Sequence, residues 1–162
     1  MRERLFRGKR VDNGEWVESG NINTQTDMYG KEHTYIGLYE TSNFAPLQRT
    51  IYWVEVDPET VGQFTGLTDK NVKKIFEGDI VRYTRICMYE PSCYFHKKDL
   101  VSLHLIYWNE KEYAFEQRHY SVEAKRVLGR GDIVFADGRA KENIIELIGN
   151  IHDNPELWEA AE

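Results

Sequence analysis

DPETVGQFTGLTDKNVKKIFEGDIVRY, residues Asp57 to Tyr83, decides how this chain is read. Asp57 and Pro58 open a turn or short helix. An aspartate at the cap accepts from orphan backbone N–H groups, and proline suits the first helical position. Val61, Phe64 and Leu67 are apolar anchors, with Gly62 and Gly66 between them. Asp69-Lys70-Asn71 is a turn. Lys73 to Phe76 then leads into the tight polar corner Glu77-Gly78-Asp79, and Ile80-Val81-Arg82-Tyr83 begins a strand. Turns this closely spaced, with short apolar runs between them, predict a β-rich domain.

Upstream, Leu5 to Ile22 is predicted to be a β-hairpin turning at Asn13-Gly14, since both residues tolerate positive φ. Trp16 is expected to face the core from the returning strand. Asn23 to Tyr29 is polar and reads as a loop, with Gly30 as a turn. Thr34 to Glu40 reads as a strand. Leu47 to Val56 is apolar on both faces at its centre, which predicts a strand interior to a sheet.

Downstream, Thr84 to Asp99 is irregular, and Pro91 argues against a central strand there. Leu100 to Trp108 is a strand, Asn109-Glu110-Lys111 a turn, and Glu112 to Gln117 the returning strand, with Tyr113 and Phe115 inward. Ser121 to Leu128 reads equally as a short helix or a strand. Gly129 to Gly138 holds a short strand between glycine turns, and Lys141 to Ile151 is the last strand. Asn154-Pro155 caps a terminal helix docked through Leu157 and Trp158.

The 162 residues fit one domain, residues 1–162, with lobes at 1–56 and 57–162 as a permitted variant. Lys and Arg number 21 against 27 Asp and Glu, so the net charge of −6 removes a global basic field for nucleic acid. Two cysteines are too few for a disulfide framework. No stretch is long and apolar enough to cross a membrane, and no signal peptide is visible. The expected location is the cytoplasm, with reduced thiols.

Cys87, Cys93, His96 and His104 are the zinc candidates, because zinc needs converging thiolates and imidazoles. The cysteine pair is wider than a zinc knuckle allows, and the plain reading is ordinary thiols and histidines. The carboxylates Glu55, Asp57, Glu59, Asp69, Glu77 and Asp79 would suit Mg²⁺ in a metal-dependent enzyme. Caps and Asx turns account for them better. No cofactor is called for, and no motif with a catalytic mechanism is present. Gly129-Arg130-Gly131 lacks the third glycine and the helix of a dinucleotide site.

Arg2, Arg4, Arg7, Lys9 and Arg10 make the N-terminal hairpin the most basic part of the chain. The plain reading is a charged strand edge that resists edge-to-edge pairing. The alternative is a phosphate-contacting patch. The 13% of aromatic residues exceeds what a small core needs, and a share of them is available for a protein surface or a stacking platform.

The chain resembles the YopX protein family of bacteriophages and prophages. The matching pieces are FRGKRVDNGEWVESG at Phe6–Gly20, ETVGQFTGLTDKNVKKIFEGDIV at Glu59–Val81, YWNEKEYAF at Tyr107–Phe115 and IELIGNIHDNPEL at Ile145–Leu157. The resemblance implies a small, mainly β protein with an antiparallel sheet and an SH3-like barrel core. It carries no catalytic residues across. With the N-terminal hairpin and one or two short helices, the expectation is a non-enzymatic phage accessory protein. It would act through a phage or host protein, or through self-assembly into a homo-oligomer. A nucleic-acid-binding barrel using the basic hairpin is the alternative, and a metal-dependent enzyme comes third.

Overall fold

A computed structural model gives the fold over residues 4–41, 49–85, 100–111, 114–121, 126–132 and 143–159. The chain is mainly antiparallel β and divides into two compact units, Met1–Gly66 and Leu67–Glu162.

In the first unit, β1 (Phe6–Lys9) and β2 (Trp16–Ser19) form the expected hairpin. Gly14 takes the left-handed conformation at φ +73°, which glycine adopts without strain. The Asn13 carboxamide oxygen accepts from the Glu15 N–H at 2.9 Å, so Asn13 stabilises the turn from outside the left-handed region. The register pairs Gly8 with Val17 and Lys9 with Trp16. Side chains alternate across a strand, so only one of these pairs can face inward. It is Gly8 and Val17. A Cβ on Gly8 would stand 3.0 Å from Val56 Cβ, and Val17 packs on the core of Ile36, Val54 and Val56. The expectation that Trp16 faces the core is therefore corrected. It lies half-buried on the opposite face, with the Arg7 guanidinium 4.7 Å and the Lys9 ammonium 5.7 Å from its ring.

β3 (Asn21–Thr26), β4 (Glu32–Thr41) and β5 (Arg49–Val56) form a second, three-stranded sheet in that order. The polar stretch read as a loop from Asn23 is thus a strand as far as Thr26. Its side chains are mostly exposed, and its pairing comes from the backbone and from cross-strand contacts such as the Thr24 and Thr34 hydroxyls at 3.3 Å. Asp27 closes the hairpin by accepting from the N–H groups of Tyr29 and Lys31, with Gly30 at φ +85°. β5 also departs from expectation. Among the described residues it ends its sheet, with only an isolated bridge from Val56 to Arg10 on its outer side.

Asp57 caps a short 3₁₀ helix, Pro58–Thr60, by accepting from the Glu59 N–H at 3.0 Å. β6 (Gly62–Thr68) follows where only a Gly-punctuated segment was expected, and pairs with β1.

The second unit contains β7 (Lys74–Phe76), β8 (Asp79–Arg85), β9 (Leu100–Asn109), β10 (Ala114–Ser121), β11 (Arg126–Asp132) and β12 (Asn143–Asn150). Five of these strands form one sheet in the order β11-β10-β9-β8-β12. Within Ser121–Leu128, Ser121 and Arg126–Leu128 are strand, and residues 122–125 lie outside the described residues. Gly129–Asp132 is strand, and 133–142 lie outside.

Alternation along β8 supplies two clusters. Val81 packs with Ile75 and Ile106, while Ile80 packs with Trp158 of α1 (Glu156–Glu159). The terminal helix is docked through Leu157 and Trp158 as expected. At the Glu77-Gly78 corner, Gly78 takes φ +80° and the buried Asp79 accepts from the Phe76 N–H at 2.8 Å. Among the described residues, no helix is long and apolar enough to cross a membrane.

Candidate functional site

The candidate surface of the first unit is built on the β3-β4-β5 sheet. Directly opposed residues share a face. Asn21, Gly37 and Trp53 therefore lie in one row, Tyr39 and Ile51 in the next, and His33, Tyr35 and Glu55 toward the other end. Tyr39, Ile51, Tyr52 and Trp53 are all about half exposed, at 41% to 53%. A strand apolar on both faces usually means two covered faces. Here the covered part is Val54 and Val56, and the preceding three residues stay open.

Gly37 lets Trp53 cross the sheet. A Cβ at position 37 would stand 3.0 Å from Trp53 Cζ3 and 3.2 Å from Asn21 Cβ. The indole thus leans over β4 toward β3. It reaches a cavity of about 500 Å³ lined by Trp53, Arg4, Phe6, Asn21 and Gln63, with Gly20 and Ile22 completing it. The lining joins one cation, two carboxamides and two aromatic rings, and no carboxylate.

At the far end of the sheet, His33 Nδ1 lies 2.7 Å from Glu55 and Nε2 lies 3.4 Å from Asp27. Glu55, and then Asp27, hold the His33 imidazolium above its usual pKa. The cluster anchors the β3–β4 turn to β5.

The sequence candidates are dispersed. Arg10 is held by Asp12, with Nε to Oδ1 at 2.9 Å, while Arg7 and Lys9 lie over Trp16. Arg4 lines the cavity, and Arg2 lies outside the described residues. Of the zinc candidates, Cys87, Cys93 and His96 lie outside the described residues. His104 is buried on β9, with Nε2 2.8 Å from the Ser102 hydroxyl and its ring edge-on to Tyr83. Among the described residues, no three His, Cys, Asp or Glu side chains are placed to hold a metal ion.

Of the candidate carboxylates, Glu55, Asp57, Asp69, Glu77 and Asp79 are each engaged by a neighbouring group of the fold. Asp69 is buried and accepts from the N–H groups of Asn71 (2.7 Å), Lys73 (2.9 Å) and Leu147 (3.2 Å). Burial pushes its carboxyl up, but those amides outweigh burial and hold it below the usual value. Glu77 accepts from the Trp108 N–H at 3.1 Å.

The aromatic surplus is legible in the sequence, but its place is not. The pairing of Gly37 with Trp53 becomes visible only once the register is known.

No curated protein matches the chain. A solved structure, that of protein EF1440 from Enterococcus faecalis, is similar at 24% identity, covering 97% of this chain and 99% of that one, with a TM-score of 0.47. The family model described as YopX protein matches residues 5–159, and the chain belongs to the YopX protein family.

Proposed function

We propose that the protein is a non-enzymatic accessory protein that works by protein–protein binding, and that its binding element is the outer edge of β5. The observation that carries this reading is an unguarded edge. Among the described residues, Thr50-Ile51-Tyr52-Trp53-Val54 ends its sheet, bears no charge and no proline, and exposes three consecutive large apolar side chains. Edge strands are ordinarily blunted by lysine, proline or a bulge, because an open edge recruits another strand. An edge kept open is suited to strand addition.

The backbone supports the same reading. On the side away from β4, the Glu55 carbonyl accepts from the Val11 N–H and the Asp57 N–H donates to the Lys9 carbonyl. Backbone groups alternate along a strand, so those of Ile51 and Trp53 are aimed to that same side.

A second copy of the chain is the occupant that fits. Two β5 strands running antiparallel about a two-fold axis at Tyr52 set Ile51 opposite Trp53 of the other copy. Both residues then satisfy their outward backbone groups, as an isologous interface requires. A small SH3-like core in the second unit, a bacteriophage or prophage setting and a place in the bacterial cytoplasm complete the reading. The five antiparallel strands of that unit support the first, and the family resemblance supports the others.

Sedimentation velocity across a concentration series tests the proposal, with Ile51→Lys as the guarded edge. The wild-type chain is expected to dimerise and the variant to stay monomeric. A wild-type monomer at every concentration overturns self-pairing. The edge then belongs to a phage or host protein if hydrogen exchange in β5 slows when that protein is added.

A further inference from the structure

We propose that the cavity beside Trp53 binds a nucleotide, with the base stacked on the indole and the phosphate toward Arg4. Trp53 belongs to both places, its backbone to the β5 edge and its indole to the cavity. The indole leans inward over Gly37, whereas the paired edge faces the other way.

The lining selects the ligand class. Trp53 is 48% exposed and offers an aromatic surface beside Phe6, which suits a planar ring. Asn21 and Gln63 line the cavity with carboxamides, which carry both donor and acceptor atoms and suit a heterocycle whose edge carries both; the Asn21 amide also donates to the Ser19 hydroxyl at 3.4 Å. Arg4 adds a guanidinium, and no carboxylate lines the cavity, so a ligand with a negative charge is favoured over a cation. A purely apolar side chain would strip water from two carboxamides without replacing their hydrogen bonds. A neutral sugar would use the ring and the amides but not Arg4. A base with its phosphate uses all four. The volume of about 500 Å³ lies within the range of about 300–1,000 Å³ for small-molecule sites.

The same chemistry comes from a free mononucleotide or from one nucleotide of a single strand. Calorimetric titration of the full chain with AMP, CMP, GMP and UMP, and with single-stranded DNA and RNA octanucleotides, separates the two. Similar affinity for mononucleotide and octanucleotide assigns the site to free nucleotides. An octanucleotide bound at least about tenfold more tightly assigns it to a strand.

Trp53→Leu is expected to weaken binding about tenfold, the worth of one stacked base. Arg4→Gln is expected to weaken it and to flatten its salt dependence. Gln63→Glu places a negative charge in the cavity and serves as a third variant should Trp53→Leu not fold. No binding of any of these ligands at low salt overturns the proposal. So does binding that survives all three substitutions. So does a neutral oligosaccharide held in a manner that depends on Trp53 but not on Arg4. Arg4 and Gln63 lie off β5, so their variants separate failure here from failure of strand pairing.

Discussion

Trp53 lies across the backbone of Gly37, close enough that its Cζ3 would be 3.0 Å from a Cβ on that residue. The same Cβ would meet Ile51 Cγ2 at 3.1 Å and Asn21 Cβ at 3.2 Å. Glycine at this position holds the aromatic surface in place by being absent from it. Gly37→Ala is therefore expected to push three side chains from three positions at once. Overpacking of this kind costs about 1–3 kcal/mol. Thermal unfolding should show the loss. The indole N–H resonance of Trp53 should shift in the variant, whereas an unmoved resonance with unchanged stability would mean that the ring does not rest on residue 37.

Asp69 offers a second test, because its two oxygens do different work. Oδ1 accepts from Asn71 and Lys73 within its own turn, while Oδ2 accepts from Leu147 on β12, far along the chain. Asp69→Asn leaves only one carbonyl oxygen for these amides and turns the other end into a donor. The expected cost is about 1–2 kcal/mol, that of an amide left unmatched. The pH dependence has a fixed sign. The folded-state carboxyl lies below its unfolded value, so its contribution is full above the unfolded pKa of about 3.9 and fades as pH falls through the folded pKa. Denaturant titrations should show wild type and variant converging in acid. A gap that stays constant down to the folded pKa would argue against this assignment.

Carboxylates that act on nearby backbone are legible in the sequence. Asp57 caps its helix and Asp69 closes its turn as expected, since each acts on backbone within a few residues. Elements whose outcome depends on partners distant in sequence are not legible. Asn21–Thr26 is a strand because β4 pairs with it, not because of its own composition. Ile51, Tyr52 and Trp53 have the composition of a buried strand, yet among the described residues the sheet stops at β5. Trp16 faces outward because Gly8, which lets Val56 approach, takes the inward position with Val17. The cavity was illegible for the same reason. Arg4, Asn21, Trp53 and Gln63 come from four separate segments and share no motif.

His33 titrates against Glu55 and Asp27, which both favour its charged form. A proton NMR titration should place its midpoint above the ordinary value of about 6.5. Glu55→Gln should bring the midpoint down, because Glu55 is the larger influence. The linkage sign is the reverse of that for Asp69. With the folded pKa raised, the stabilisation is full below the unfolded pKa and is lost as pH rises through the folded pKa. Amide exchange at the Asp27–Lys31 turn should therefore quicken from near neutral pH upward. A midpoint that Glu55→Gln leaves in place would dissociate the histidine from β5.

Val72 is the one described non-glycine residue with positive φ, at +64°, and its side chain is 78% exposed. In the left-handed region any Cβ crowds the following carbonyl oxygen, at a cost of about 1–2 kcal/mol. The turn imposes the conformation. The Val72 N–H donates to the Asp69 carbonyl at 3.0 Å, and the Asp69 N–H donates to the Lys73 carbonyl at 2.8 Å. Val72→Gly removes the crowding but adds freedom to the unfolded chain, which offsets about 0.5–1 kcal/mol. A net stabilisation of up to about 1 kcal/mol is expected in denaturant unfolding. Val72→Asn should gain a comparable amount without that offset, since asparagine tolerates the left-handed region. Val72→Ala keeps a Cβ at the same φ and should gain less than either. If alanine stabilised as much as glycine, the strain would lie in the branched side chain and not in the backbone angle.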